Sequence, residues 1–438
     1  MQTTFRITWS MALGAALAVS ACTLDYTDPN NPNEAEAIST ISGLKQVGVG
    51  LQATFSNGIV NPVYVDGLVV DDIGAILQAF ESYRNADAGL AIEYTTGPST
   101  ETWATMYNAV QVANVLIDNV PNVGMQPGTA SGLLALAQLY KAMAFGNLLS
   151  VYERIPLDVG LDNLTPNFAT RAEAYAEVLA LLNQARQHIT TTAPSSEFAN
   201  DVLAPGFNLA NTIDAMLARY SLIANDLPGA LTAAQRVNLG VLSELRFSAS
   251  DPNPLWNMWF NSGNAYRMRA EDRFRTGAQT GDQRVGYWVG ASTAYTASNA
   301  ASPLDSLTKY SVREGSFPIY LPDEMRLIQA EVYSRQGDST QALTLLNQVR
   351  TVCASALNEP IACLPALTAA DVPTQQAMLD AILRERQYEL YLQGLRWSDL
   401  RRFGKPMKYN FMMVSSVECS NNPNAPSDLC QPLTTPNP

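Results

Sequence analysis

The sequence predicts a mainly α fold of helical hairpins interrupted by long, aromatic-rich loop insertions. Three observations carry this reading. Apolar residues recur at three- and four-residue spacing through most of the chain, the period of a helix with one buried face. Two pairs of such segments break at matching polar turns, Asn225-Asp226 and Gly337-Asp338. Between them, from about residue 238 to residue 320, the helical period is lost and Pro, Gly, Ser and Asn punctuate the chain. With 438 residues, 47% of them apolar, the chain can bury a substantial core. Its 27 basic and 40 acidic side chains give a net charge of −13, which argues against nucleic acid as a partner, because neutralising phosphate needs a basic surface. A single histidine, His188, makes histidine-based metal sites and histidine-dependent catalytic triads improbable. No metal and no cofactor is expected.

In chain order, Met1–Ala21 reads as a secretory signal, with Arg6 as its positive end and Ile7–Val19 as a mostly apolar stretch too short for an ordinary membrane span. It ends in Val19-Ser20-Ala21-Cys22, which resembles the lipobox of bacterial lipoproteins, where the cysteine becomes the lipidated first residue. The plainer alternative is a signal peptide with a chance cysteine, but Cys22 stands where cleavage is expected. The boundaries are then a signal peptide at 1–21, a polar, Pro/Asn-rich lipidated tether at 22–34, and a helical domain at 35–438. Nothing after the signal reads as long and apolar enough to cross a bilayer, so acyl chains would supply the anchor. Four further cysteines form two close pairs, Cys353 with Cys363 and Cys419 with Cys430. Two local disulfides are the natural pairing in an oxidising compartment, though other connectivities are open. Zinc is disfavoured, since no Cys-x-x-Cys spacing is present.

Helices are predicted over Trp103–Val120, Leu133–Leu149 and Thr170–Ile189, the last with Thr170 and Glu173 placed for a capping box. A possible helix covers Asp71–Phe80, with Asp71-Asp72 as an N-terminal cap rather than a metal or acid pair. Two helical pairs follow, Ile213–Ala224 with Leu227–Val237 and Pro322–Gln336 with Ser339–Val352, and then a last long helix, Thr374–Gln393. Each pair places small residues where its helices cross, then a tight turn, then an Ala-Leu, and so resembles a tetratricopeptide hairpin. About a hundred residues separate the pairs, so no regular solenoid forms. The insertion between them holds 12 aromatics in 83 residues, against 8% for the whole chain, and loops on a rigid scaffold are where binding residues gather.

The segment Glu385-Arg386, Glu389-Leu390, Gly394-Leu-Arg396 and Asp399-Leu-Arg-Arg402, closing a stretch that runs over 382–404, closely resembles the carboxy-terminal signature of the SusD/RagB family. Gln393 stands where the family usually has Glu and Phe403 where it has Trp, and neither departure touches the charged set. Glu324…Ala330-Glu331 with Gly337-Asp338, Trp103…Tyr107…Asn114, the weak match Asp282-Gln283-Arg284 and Asn31-Pro32-Asn33 give further likeness over nearly all of 22–404. The resemblance implies an α-helical, tetratricopeptide-like fold and an outer-membrane, lipid-anchored protein at the cell surface. It implies no catalysis, an oligosaccharide or peptide ligand, and a SusC-like TonB-dependent barrel as partner.

Sugar capture uses aromatic faces with polar groups for the hydroxyls. The first candidates are Trp256 and Trp259 with Asn253 and Asn257 beside them; Tyr287, Trp288 and Tyr295 come second; Phe80, Tyr83 and Arg84 third. Each has the alternative of being a core aromatic, which Trp103 and Trp397 are expected to be. Arg267, Arg269, Arg273 and Arg275 fit either a reader of an anionic ligand or a loop paired with Glu271 and Asp272. His188 reads as a surface residue suited to a helix end. Glu385 and Glu389 share one helical face; they fit an ion-pair network locking the last helix to the turn at Gly394 better than a glycosidase pair, because neighbouring arginines hold carboxylates ionised. A capture protein, a surface glycoside hydrolase and a structural tetratricopeptide adaptor are the three function classes to separate.

Overall fold

A computed structural model describes residues 38–90, 95, 97–160, 163, 165–260, 268–296 and 303–409. The signal and tether with Cys22, the pair Cys419 and Cys430, and Arg267 lie outside the described residues. The scaffold opens with α1 (Ile41–Gly58), α2 (Val60–Val69), α3 (Glu81–Asp87), α4 (Gly97–Asn119) and α5 (Pro127–Val151). Helices α6 (Arg171–Thr191), α7 (Ser196–Asp201), α8 (Leu209–Ile223) and α9 (Leu227–Arg236) follow. Thr170 caps α6 through the reciprocal box with Glu173 that its spacing predicts.

Helix α5 corrects one expectation. It is long and apolar enough to cross a membrane, but 83% of its apolar window is buried inside the protein, which makes it the core helix around which α4 and α6 pack. Close packing requires glycine in it: a methyl group on Gly146 would fall inside the Tyr220 ring of α8.

The two tetratricopeptide-like pairs are α8 with α9 and α13 (Pro322–Arg335) with α14 (Ser339–Arg350). Their turns share backbone angles and caps. Asn225 and Gly337 take left-handed φ values of 64° and 88°, and the following Asp226 and Asp338 cap the second helix from φ −84° in both cases. Arg219 of α8 joins the pairs by a buried two-point contact with Glu324 of α13, at 2.7 and 2.6 Å.

The insertion is not irregular throughout. It supplies β4 (Glu244–Leu245), α10 (Pro254–Phe260), β5 (Met268–Glu271), α11 (Asp272–Thr276), α12 (Arg284–Trp288), β6 (Val289–Thr296), β7 (Pro303–Leu307) and β8 (Phe317–Pro318). Asp71–Phe80 is not a helix either. Asp71 sits at φ 59° just beyond α2, and the chain then enters β1 (Ile73–Ala75). Asp71-Asp72 therefore ends one helix instead of beginning another. Strand β1 pairs antiparallel with β5, Ile73 opposite Ala270 and Ala75 opposite Met268, completing a four-stranded sheet ordered β1-β5-β7-β6. Short ladders β2 (Ile155–Pro156) with β3 (Phe168–Ala169), and β4 with β8, complete the strands.

The last helices, α15 (Gln375–Glu389) and α16 (Arg396–Arg402), carry the signature charges into the interior. Arg386 meets Asp399 at 2.7 Å, and Arg402 bridges Asp399 at 2.8 Å and Glu331 of α13 at 2.6 Å. Burial opposes ionisation of Asp399, but Arg386 and Arg402 outweigh it and hold the carboxyl below its usual range. Glu331 is held down against burial chiefly by Arg402. Glu385 ties α15 to Arg284 of the insertion at 2.6 Å and to Arg350 of α14. Gly394 takes φ 69° in the turn between α15 and α16. Arg396 turns its guanidinium to Gln387 at 3.1 Å and the Leu383 carbonyl at 3.4 Å. Glu389 departs from the expected pattern: fully buried, with neither carboxyl oxygen hydrogen-bonded among the described residues, it is pushed well above the carboxylate range by burial and by Asp323, against Arg284.

The described cysteines Cys353 and Cys363 form one local disulfide. Trp397 is core as expected, whereas Trp103 is half-buried and stacks against Phe168 with ring centroids 6.1 Å apart. His188 lies in the last turn of α6, where partial burial lowers its pKa and so weakens any charge it offers the helix end.

Candidate ligand-binding surface

The β1–β5 pairing brings two distant aromatic segments to one end of the sheet. Leaving β1 at Ala75, the chain turns through Ile76–Ala79 into α3; approaching β5 at Met268, it comes from α10. On the first segment Phe80 is 53% exposed and Leu77 64%. Arg84 is half-buried one helical turn beyond Phe80; its Nη1 donates to the Leu77 carbonyl at 3.2 Å, and its Nε has no partner among the described residues. On the second, Trp256 is half-buried with the Arg313 guanidinium 5.6 Å over its ring, and Phe260 is 37% exposed.

The remaining candidates divide. Tyr83 is in the core, its hydroxyl bonded to Glu101 at 2.7 Å and to Tyr64 at 3.1 Å. Trp259 and Trp288 are also core: both pack on buried Tyr310, at 5.9 and 6.3 Å, and the Trp288 indole N–H donates to the Tyr388 carbonyl at 2.9 Å. No ring face of these three is open to a ligand, because a large apolar body is worth most where the insertion must be glued to the scaffold. Tyr287 stands apart from α10, its hydroxyl donating to the Asn358 carbonyl at 2.9 Å inside the disulfide loop. Tyr295 lies in β6 opposite Leu304. Asn253 is a buried structural group: its Nδ2 donates to the Gly315 carbonyl at 2.5 Å and its Oδ1 accepts from Leu255 N–H at 2.8 Å. Asn257 is half-buried on α10.

The arginine run is structural at its three described positions, with Asp272 adding an electrostatic attraction to Arg275 beside that residue's main partner. Arg273 donates to the Val70 and Asp71 carbonyls at 2.6 and 2.5 Å, and Arg275 pairs with Asp305 at 2.7 Å. Arg269 donates to the Trp259 carbonyl at 2.9 Å and so holds α10 on the sheet. Sequence reasoning missed Phe260 and Arg313. Phe260 belonged to the same aromatic helix, but Arg313 is fifty-odd positions downstream and carried no local signal.

Comparison with known proteins agrees with this architecture. Residues 247–429 match the SusD family. The fold is similar to that of solved SusD superfamily proteins. A SusD superfamily protein from Bacteroides fragilis is 17% identical with a TM-score of 0.64, covering 83% of this chain and 90% of its own. A SusD-like carbohydrate-binding protein from Bacteroides vulgatus is 16% identical with a TM-score of 0.65, covering 84% of each chain. NanU of B. fragilis is 14% identical with a TM-score of 0.65, covering 93% of this chain and all of its own. No curated protein matches in sequence. The SusD resemblance and the mainly helical, hairpin-based fold both stand.

Proposed function

We propose that this is a surface capture protein that binds an oligosaccharide at the Ala75/Met268 end of its sheet and hands it to a SusC-like TonB-dependent barrel. The observation that carries the reading is the delivery of exposed Phe80 and Phe260, half-buried Trp256 and the guanidinium groups of Arg84 and Arg313 to a single end of one rigid sheet. Rings on a fixed scaffold give large contact area to the C–H faces of a pyranose at little entropic cost, and guanidinium groups reach its hydroxyls. The lipid at Cys22 would hold the protein on the outer membrane, with the tether giving it reach.

The reading is of binding without turnover. Glu385 and Glu389, the pair a hydrolase reading singles out, are sealed in the interior against arginines and cannot approach a substrate. The test is a glycan array with the purified protein, followed by calorimetry on each hit. Replacing Trp256 and Phe260 together by Ala is expected to weaken binding about tenfold or more with the fold unchanged. Full affinity in that variant and in Phe80→Ala sinks this location, and release of shorter sugars sinks the non-catalytic reading. Binding of peptides but of no glycan on the array points to a peptide ligand instead.

A further inference from the structure

A second cleft, of 560 Å³, opens between the end of α2, the loop after α11, helix α15 and the chain after α16. We propose that this cleft binds a sugar acid, a uronic-acid-containing oligosaccharide whose carboxylate is held by Arg384 and Arg396 and whose hydroxyls are accepted by Asp72. The proposal does not depend on the aromatic surface described above, whose residues do not line this cleft.

Three observations carry it. First, the lining is cationic in a strongly acidic chain: five basic side chains face three carboxylates, where the whole sequence has 27 against 40. A concave wall with an excess of one sign concentrates ligands of the other. Second, the positive charges are unevenly spent. Lys405 is matched to Asp380 at 2.6 Å, and Arg273 and Lys408 to Asp71. Arg384 is exposed and makes no hydrogen bond or ion pair with any described residue, and Arg396 has only the neutral Gln387 and Leu383 oxygens as side-chain partners. Two guanidinium groups on one wall suit a planar carboxylate, which takes paired N–H donors. Third, Asp72 lines the cleft at 5% exposure, and its carboxyl, under the influence of the lining residues Arg396 and Arg273, has no hydrogen-bond partner among the described residues. Burial raises its pKa to about 6, with Arg396 and Arg273 opposing, so near neutral pH it is largely an acceptor in need of a donor. A hydroxyl-rich acid satisfies both halves of the wall, whereas a simple inorganic anion would leave Asp72 repelled. The volume falls within the ~300–1,000 Å³ of ordinary ligand sites.

The test uses calorimetry on the purified protein with trigalacturonate, with maltotriose as its uncharged counterpart and trialanine as a carboxylate that lacks ring hydroxyls. Binding of trigalacturonate with an affinity at least about tenfold above both counterparts is expected, weakening about tenfold in Arg384→Gln and in Asp72→Asn. Arg384 is exposed and unpartnered, so its loss leaves the fold intact, and a matched melting curve checks this. The proposal is overturned if trigalacturonate fails to bind, if maltotriose or trialanine binds as well, or if both variants bind like wild type. Loss of trigalacturonate binding in the Trp256→Ala and Phe260→Ala double variant instead of Arg384→Gln also overturns it, since the acid would then belong to the aromatic surface.

Discussion

Asp66 shows how a single side chain can work against the fold that holds it. Fully buried on α2, it accepts the Trp397 N–H at 2.9 Å and the Arg396 N–H at 3.3 Å, yet burial raises its pKa to about 8. A carboxyl with a raised folded-state pKa is protonated in both states below about pH 4, so its ionisation costs no stability there. As pH climbs toward 8 only the unfolded chain releases the proton freely, so stability falls over that window. Asp66→Asn keeps an acceptor and removes the titration. Its melting temperature is therefore expected to gain on wild type from pH 5 to pH 8, and a constant difference across that range contradicts the assignment. Arg284 makes the opposite case: 1% exposed, it meets Asp282 at 2.7 Å and Glu385 at 2.6 Å, so Arg284→Met strands buried acids and should cost about 3–5 kcal/mol by urea unfolding. The charged set of the C-terminal signature was readable from the sequence; Arg284 as its centre was not, because Asp282-Gln283-Arg284 is a slight motif and its partner is a hundred residues away.

At the scale of elements, helices α4 to α6, the two hairpins and α15 were legible because each has both a period and a boundary, whereas α1 and α2 were not, the latter being buried along its whole length with no polar face to mark it. The turns at Asn225 and Gly337 state their conformation in residue type, and the Thr170–Glu173 box states where α6 begins. The strands of the insertion were not legible. Strands β1 and β5 have three and four residues, too few to display alternation, and their pairing is set by tertiary position. Aromatics within the insertion misled for a related reason: composition marks a segment as rich in rings, but only packing decides whether Trp288 faces Tyr310 or water. Packing also reverses a propensity rule on α5. Gly146→Ala should help an isolated helix by up to about 1 kcal/mol, yet here it is expected to destabilise by about 1–3 kcal/mol as α5 and α8 are forced apart, a difference readable in thermal melts.

For the whole molecule, the family-matching stretch 247–429 does not mark out an independent unit. It contains β5, β6 and β7 but not β1, which lies almost two hundred positions earlier, and its arginines reach back to Asp71, Val70 and, through Arg401, Glu153. A fragment covering 247–438 is expected to aggregate or stay unfolded on size-exclusion chromatography, and to become soluble when residues 38–246 are supplied. A monomeric, cooperatively melting fragment would contradict this. The sequence made the scaffold legible from Trp103 onward, but a surface assembled from segments at 77–84, 256–260 and 313 leaves no mark in any one of them.

The closing of β1 on β5 has a consequence for biogenesis. A chain is made amino terminus first, so β1 must wait for its partner while most of the polypeptide is still to come, and long-range closure of this kind is slow. Until it happens β5 has an open edge, and the two aromatic segments do not yet share one end of a sheet. Only a chain folded as far as β5 can complete this sheet, so a copy that ends before Met268 lacks the β1–β5 pairing altogether.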